Sequence, residues 1–371
     1  EFRRVLFRSN IVAWHISNEY GGECYCENCE KAFRVWLEKK YQTMEALNEA
    51  WNTSFWGHTF YDWDEIVLPD LRSEHFEYDR SQFQGITLDY KRFNSESILD
   101  CYKMEYEAVK SVTPDIPVTT NLMGFFKMLD YKMWAKYMDF VSWDNYPANE
   151  DSPAMIAMSH DLMRGMKGGQ SFILMEQTPS VTNWLPYNAL KRPGVMRLWS
   201  YQAVAHGSDS VMFFQMRRST GACEKLHGAV IDHVGTDETR VYREVRELGA
   251  ELEQIGGLTL GARADAKVGL YFDWDNWWAV ECSAGPSCEL KYKDEILNYY
   301  EAFHGMNIPV DLIGPEDELD QYKILIAPVL YMTKTGYDEK IRQFVKDGGT
   351  FLTTFFSGYA DECDKIILGG Y

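Results

Sequence analysis

The chain has 371 residues, room for two domains of roughly 100 to 200 residues each. It is 46% hydrophobic and 25% charged, and no window of about 18 unbroken apolar residues marks a membrane span. A net charge of −19 argues against a nucleic-acid partner, whose phosphates attract Lys and Arg; the 15% aromatic content fits a large core or a sugar site, where ring faces stack on pyranose C–H groups.

Residues 1–9, EFRRVLFRS, carry no cap, strand pattern or cleavable signal and read as the translation of a sequencing adapter, so they are set aside as an artefact. From residue 10 the chain starts in the middle of an apolar strand, NIVAWHISNEY (10–20), and it stops as abruptly at DKIILGGY, which suggests a fragment of a longer gene. More apolar runs that end in polar residues follow: IPVTTNLMG (116–124), MDFVSWDNYP (138–147), QSFILMEQTPS (170–180) and SDSVMFFQMRRS (208–219). Between them, CEKAFRVWLEKKY (29–41), SESILDCYKMEYEAVKSV (95–112) and PGVMRLWSYQAVAHG (193–207) repeat apolar residues at helical spacing. Strands alternating with helices imply parallel β/α units. Residues 10–263 therefore read as part of a (β/α)8 TIM barrel, about strands 4–8, a fold whose catalytic groups sit at the C-terminal strand ends.

After the amphipathic helix TRVYREVRELGAELEQIGGL (239–258) the pattern restarts. AKVGLYFDW (266–274), YKILIAPVLYM (322–332) and TFLTTFFSG (350–358) read as strands, with helices KDEILNYYEAFHGMN (293–307) and GYDEKIRQFVKDGG (336–349) between them. Residues 264–371 are thus expected to form an incomplete, doubly wound, Rossmann-like α/β domain.

Two glutamates close apolar runs, Glu19 after IVAWHISN and Glu176 after SFILM. Retaining hydrolysis of a glycosidic bond needs two such carboxyl groups about 5 Å apart, one as acid and one as nucleophile. A charged residue at a strand end is equally a solvated rim residue, so neither glutamate settles the matter alone. Asn18, before Glu19, is placed to bind a sugar hydroxyl beside the reacting carbon. Cys24, Cys26 and Cys29 follow in C-x-C-x-x-C spacing, which suits a tetrahedral zinc site although a closed structural site needs four ligands. Cys101, Cys223, Cys282, Cys288 and Cys363 have no spacing partner and are expected to be ordinary buried thiols.

The blocks WHISNEY, CYCENC, FRVWLEKKY, LNEAWNTSFW, VSWDNYP, MEQTPSVTNW, GACEKLHGAV, APVLYMTKTG and GGTFLTTFFSGYADECD, in this order, resemble glycoside hydrolase family 42, the β-galactosidases, across residues 10–371. The resemblance implies a retaining exo-β-D-galactosidase acting on terminal β-galactosides, with Glu19 as general acid/base and Glu176 as nucleophile. It implies that Asn18 binds the sugar 2-hydroxyl, that Tyr146 holds the nucleophile ionised, and that Trp184, Glu224 and His227 complete a galactose pocket. Read alone, His227 is a helix-surface histidine; the resemblance reverses that reading. It further implies a structural zinc on Cys24, Cys26 and Cys29 with a fourth cysteine upstream, no catalytic cofactor, and a cytoplasmic location. The domain at 264–371 resembles a trimerisation domain of class I glutamine amidotransferase-like fold, without a cysteine nucleophile elbow, so the expected partner is a second and third copy of the chain. With early barrel strands absent, this polypeptide alone is expected to aggregate and to be inactive. Alternatives are an exo-glycosidase for another sugar, such as an α-L-arabinopyranoside, and a non-catalytic carbohydrate-binding relative.

Overall fold

A computed structural model describes residues 11–70, 80–148 and 151–369; the stretch read as an adapter lies outside the described residues. The fold is α/β with parallel sheets. Two compact units divide it: one takes the residues up to Tyr20 with Glu105–Phe125 and Ala135–Asp265, the other Gly21–Met104, Phe126–Trp134 and Ala266–Tyr371.

In the first unit the described strands run in sequence order: β1 (Trp14–His15), β2 (Val118–Thr119), β3 (Asn121–Leu122), β4 (Ser142–Asp144), β5 (Phe172–Glu176) and β6 (Ser208–Val211). β1 pairs with β2, and β3, β4, β5 and β6 form a parallel sheet in that order. Parallel neighbours need crossovers, which here include helices Pro153–Gly165 and Val195–Ala205. The first of these is started by Ser152, whose hydroxyl accepts the Met155 N–H at 3.1 Å, with Pro153 supplying a preset φ. Inward residues Val118, Leu122, Trp143, Phe172 and Leu174 are buried with Ile156, Met163, Met196 and Ala203 from the helices. Each such large apolar side chain contributes roughly 1.5–3 kcal/mol on leaving water.

The run IPVTTNLMG, expected as one strand, is two, broken at Thr120. Val118 and Thr119 pair backwards with Trp14 and His15, whereas Asn121 and Leu122 pair forwards with Ser142 and Trp143. The break fits the local polar bonds, since the Ser142 hydroxyl donates to the Thr120 carbonyl at 2.9 Å. This hand-over leaves Asn121 buried at 1% exposure within the strand tips.

The second unit contains the parallel sheet β8-β7-β9-β10, from Val268–Tyr271 (β7), Val310–Ile313 (β8), Ile324–Ala327 (β9) and Thr350–Thr353 (β10). Among its elements not legible beforehand are β8 and the helices Met44–Trp51 and Trp274–Cys282. VDLI carries an aspartate in a short run after Pro309, which reads as a connection; Asp311 is tolerated in the buried strand because the Tyr322 hydroxyl donates to it at 3.0 Å. Helices Glu27–Tyr41, Met44–Trp51 and the 84–104 part of helix Gln84–Lys110 pack through Phe33, Leu37, Leu47, Trp51, Tyr90 and Phe93. Among the described residues, no helix is long and apolar enough to cross a membrane.

Candidate active site

Three carboxylates converge at the strand tips of the first unit. Asp144 and Glu176 are the last residues of β4 and β5, and a register shift makes them direct neighbours: Trp143 faces Leu174, then Asp144 faces Glu176, skipping Met175. Bulges of this kind re-aim a side chain beside a site. Glu19 arrives from the loop after β1, where Ser17 and Glu19 both hold left-handed backbone, φ 52° and 43°. For non-glycine residues that conformation is strained and persists only where the surroundings hold it. Here the Glu19 N–H is held by Asn121 Oδ1 at 2.9 Å. One oxygen each of Glu19, Asp144 and Glu176 lie within 4.8 Å of one another.

Asn121 ties the group together. Its Oδ1 also contacts His15 Nε2 at 2.9 Å, and its Nδ2 donates to Asn18 Oδ1 at 3.0 Å and to Asp144 Oδ2 at 2.5 Å. The Tyr146 hydroxyl donates to Glu176 Oε2 at 2.6 Å. Burial raises the Glu176 pKa above the usual carboxylate range, as does the Glu19 charge, while the Tyr146 hydrogen bond pulls it back down. Asp144, only 6% exposed, is pushed up to about 10 by its burial first, then by the Glu176 charge and its hydrogen bond with Glu19.

Of the remaining residues singled out in the sequence, Trp184 stands edge-on to Tyr146 with ring centroids 5.2 Å apart and is 53% exposed. His227 packs edge-on to the other neighbours Tyr146 and Phe214, at 5.7 and 5.2 Å. It is not a helix-surface histidine: it is fully buried in a turn, its N–H donating to the Glu224 carbonyl at 2.9 Å. Close packing by Gly228 explains this, because a Cβ there would meet Ser180 Oγ at 2.2 Å and the Val181 backbone nitrogen at 2.8 Å. Burial lowers the His227 pKa, so the ring is held neutral, and its Nε2 has no hydrogen-bond partner among the described residues. Glu224 is half-buried and its charge is felt by Glu176. Sequence reasoning missed Asn121 and Asp144; the available signal was that both, like Glu19 and Glu176, are polar residues at the ends of apolar runs.

The second metal-capable group of described residues is Cys24, Cys26 and Cys29, in the second unit, with sulfurs within 4.8 Å and Cys26 Sγ 3.7 Å from Cys29 Sγ. Zinc–sulfur bonds of about 2.3 Å in a tetrahedron give a sulfur–sulfur edge of about 3.8 Å, so the thiols fit that ion. Their loop is tied down by Tyr90, which donates to the Cys24 carbonyl, and by Asn94, which donates to the Gly22 carbonyl at 3.0 Å. The Cys29 N–H and neighbouring thiols hold the Cys26 thiol low, at about 7, whereas burial and those same neighbours push the Cys29 thiol up to about 12. The expectation of ordinary buried thiols elsewhere holds only for Cys282: Cys101 and Cys223 are exposed, and Cys288 and Cys363 are partly so. Cys101 lies on the outer face of its helix and Cys223 in an open turn, positions that bury nothing.

Residues 6–255 match the family described as beta-galactosidase, glycoside hydrolase family 42, and residues 266–371 match the beta-galactosidase trimerisation domain. A beta-galactosidase of Planococcus sp. (strain L4) is 60% identical over 97% of this chain and 53% of its own length. One of Lactobacillus acidophilus is 48% identical over 99% of this chain and 56% of its own. The crystal structure of beta-galactosidase from Bacillus circulans sp. alkalophilus superposes with a TM-score of 0.97 at 61% identity, covering 99% of this chain and 55% of that one. The chain thus spans about half the length of the curated relatives it matches. With a family match over more than half of its residues, the chain belongs to glycoside hydrolase family 42.

Proposed function

We propose that this chain is part of a retaining exo-β-D-galactosidase. One observation carries the reading: Glu19 and Glu176 present carboxylate oxygens within 4.8 Å of each other. Retaining glycosidases keep their two carboxyl groups about 5–5.5 Å apart, whereas inverting enzymes leave about 6.5–9.5 Å for a water. Glu176, held ionised by Tyr146, attacks the anomeric carbon while Glu19 gives its proton to the departing oxygen. The resulting galactosyl ester on Glu176 is then opened by a water whose proton returns to Glu19. Asn18 binds the 2-hydroxyl, Trp184 offers a stacking face, and Glu224 with the neutral His227 grips the remaining hydroxyls. The unpartnered Nε2 of His227 supports that role.

In this reading residues 10–263 are part of a (β/α)8 barrel and residues 264–371 an incomplete trimerisation domain of class I glutamine amidotransferase-like fold, so the whole protein is a homotrimer. Names and bounds of the two matched families support it. Cys24, Cys26 and Cys29 hold a structural zinc together with a fourth ligand, and no step of the chemistry passes through that ion. Three free thiols in one loop favour a reducing, cytoplasmic setting.

The test is to treat the protein, produced at the full length of its relatives, with a 2-fluoro galactosyl inactivator and map the labelled peptide by mass spectrometry. Label on Glu176 is the expected result. Labelling only by the arabinopyranosyl analogue would move the sugar specificity, and no label with no turnover of any nitrophenyl glycoside would overturn catalysis in favour of carbohydrate binding.

A further inference from the structure

Asp144 has no part in the two-carboxylate mechanism, yet it stands between the two carboxylates that do. Its Oδ2 accepts from Asn121 Nδ2, while its Oδ1 is buried and receives no donor among the described residues. An ionised Asp144 would therefore bury an uncompensated oxygen in a side chain that already brings one of its oxygens within 4.8 Å of an oxygen of Glu19 and of Glu176. Burying an unpaired charge is costly enough that such a group takes up a proton instead. We propose that Asp144 is a positioning residue that stays protonated throughout the reaction and donates its carboxyl hydrogen to Glu19.

The proposal rests on the retaining reading above. When Glu19 has passed its proton to the leaving oxygen, it is a carboxylate in a half-buried site, and the Asp144 hydroxyl is the donor that compensates it. Neutral Asp144 also removes one like charge from beside Glu176, which must remain ionised to attack. Asp144 keeps its own proton in both half-reactions; the proton that leaves and returns belongs to Glu19, so the balance is unchanged.

Burial and the two glutamates favour the proton on Asp144, and the Asn121 hydrogen bond to Oδ2 opposes it. From β1 comes His15 and from the loop after it Glu19, from β3 the neutral Asn121, from β5 Glu176, and beyond it Tyr146 and Glu224. His15 Nε2 contacts Asn121 Oδ1 at 2.9 Å. Burial, with the Glu176 charge behind it, accordingly raises the Asp144 carboxyl to about 10. The proton is thus retained across the neutral range.

Asparagine is a neutral mimic of a protonated aspartate: it can accept from Asn121 and donate to Glu19. Asp144→Asn is expected to keep kcat and KM within about threefold of the parent at neutral pH. Asp144→Ala, which removes the donor, is expected to lower kcat about 10- to 100-fold with KM little changed, the loss of a hydrogen bond to a charged group. Infrared difference spectra of parent against Asp144→Asn should show the carbonyl stretch of a protonated carboxyl in the parent at pH 7. That measurement needs neither turnover nor the alanine variant to fold. A difference spectrum with no protonated-carboxyl band would overturn the proposal, as would an asparagine variant as slow as the alanine one, because either means that the anion is what the site uses. A protonated-carboxyl band in a protein that labels with no glycosyl inactivator would instead count against the galactosidase reading, leaving the proton on Asp144 in place.

Discussion

The Tyr146 hydroxyl donates to Oε2 of Glu176 across 2.6 Å, and the Asn145 N–H donates to the Glu176 backbone carbonyl at 2.9 Å, so Glu176 is gripped at both ends by consecutive residues. The side-chain bond opposes the burial that raises Glu176. Removing it in Tyr146→Phe raises the Glu176 pKa further. Because Glu176, as the proposed nucleophile, must be ionised to attack, the acidic limb of the pH profile of kcat/KM should move to higher pH. Loss of one hydrogen bond to a charged group should lower kcat/KM roughly 10- to 100-fold near the optimum. A variant with an unmoved acidic limb would show that Tyr146 does not tune the nucleophile.

Gly228 sets the depth of His227. Its N–H donates to the Val181 carbonyl at 2.7 Å, and its α-carbon lies where an added methyl meets Ser180 Oγ at 2.2 Å and backbone nitrogen at 2.8 Å. The obstruction is partly backbone, so it cannot swing aside. Gly228→Ala should cost roughly 1–3 kcal/mol by overpacking and should raise KM for galactosides as His227 shifts, with the pH profile unchanged. Urea unfolding and steady-state kinetics check the two arms separately.

Which parts of this arrangement were readable beforehand follows from the range of the interactions. Glu19 and Glu176 are visible because each ends a local apolar run, and the helices at 29–41 and 239–258 because their 3.6-residue period lies within one segment. Asp144 ends a run just as they do, but its meaning depends on a register shift that skips Met175 on the neighbouring strand. No local pattern encodes that shift. Asn121 is harder still: its partners His15, Asn18, Glu19 and Asp144 lie between 23 and 106 residues away in sequence. Burial of His227 was missed for the same reason, since the close packing that causes it joins residues 178–181 to Gly228. The β8 strand was missed because its aspartate is satisfied by a tyrosine eleven positions on.

His160 makes stability depend on acid. The ring is fully buried with both nitrogens unpartnered among the described residues, and it packs against Trp143 at 5.1 Å, Phe172 at 5.8 Å and His206 at 6.0 Å, near Asp161 and Arg164. Burial foremost lowers its pKa from the ordinary 6.5 to about 3. Between those values the unfolded chain binds a proton that the folded chain refuses. This contribution is therefore nil above pH 6.5 and costs on the order of 1.4 kcal/mol for each pH unit below it, down to about 3. His160→Phe keeps an aromatic ring without a titratable group. Urea midpoints at pH 7 and pH 5 should differ less in the variant than in the parent by about 2 kcal/mol of unfolding free energy; equal differences would place the acid sensitivity elsewhere.

The cysteine loop should be separable from the chemistry. Zinc bound by Cys24, Cys26 and Cys29 would fix the start of helix Glu27–Tyr41, whose N-cap Cys26 makes no side-chain capping bond of its own. Cys26→Ser removes a thiolate ligand and should abolish zinc retention through gel filtration, measured as metal per chain by elemental analysis. Binding of a structural ion is folding free energy, so thermal stability should fall on chelation as well as on substitution. The pH dependence of labelling at Glu176 should not move, because the carboxylates and Tyr146 that set it belong to the other unit. A chelated protein that stays equally stable would remove zinc from the account of this loop, and one whose labelling profile shifts would mean that the loop acts on the carboxylates after all.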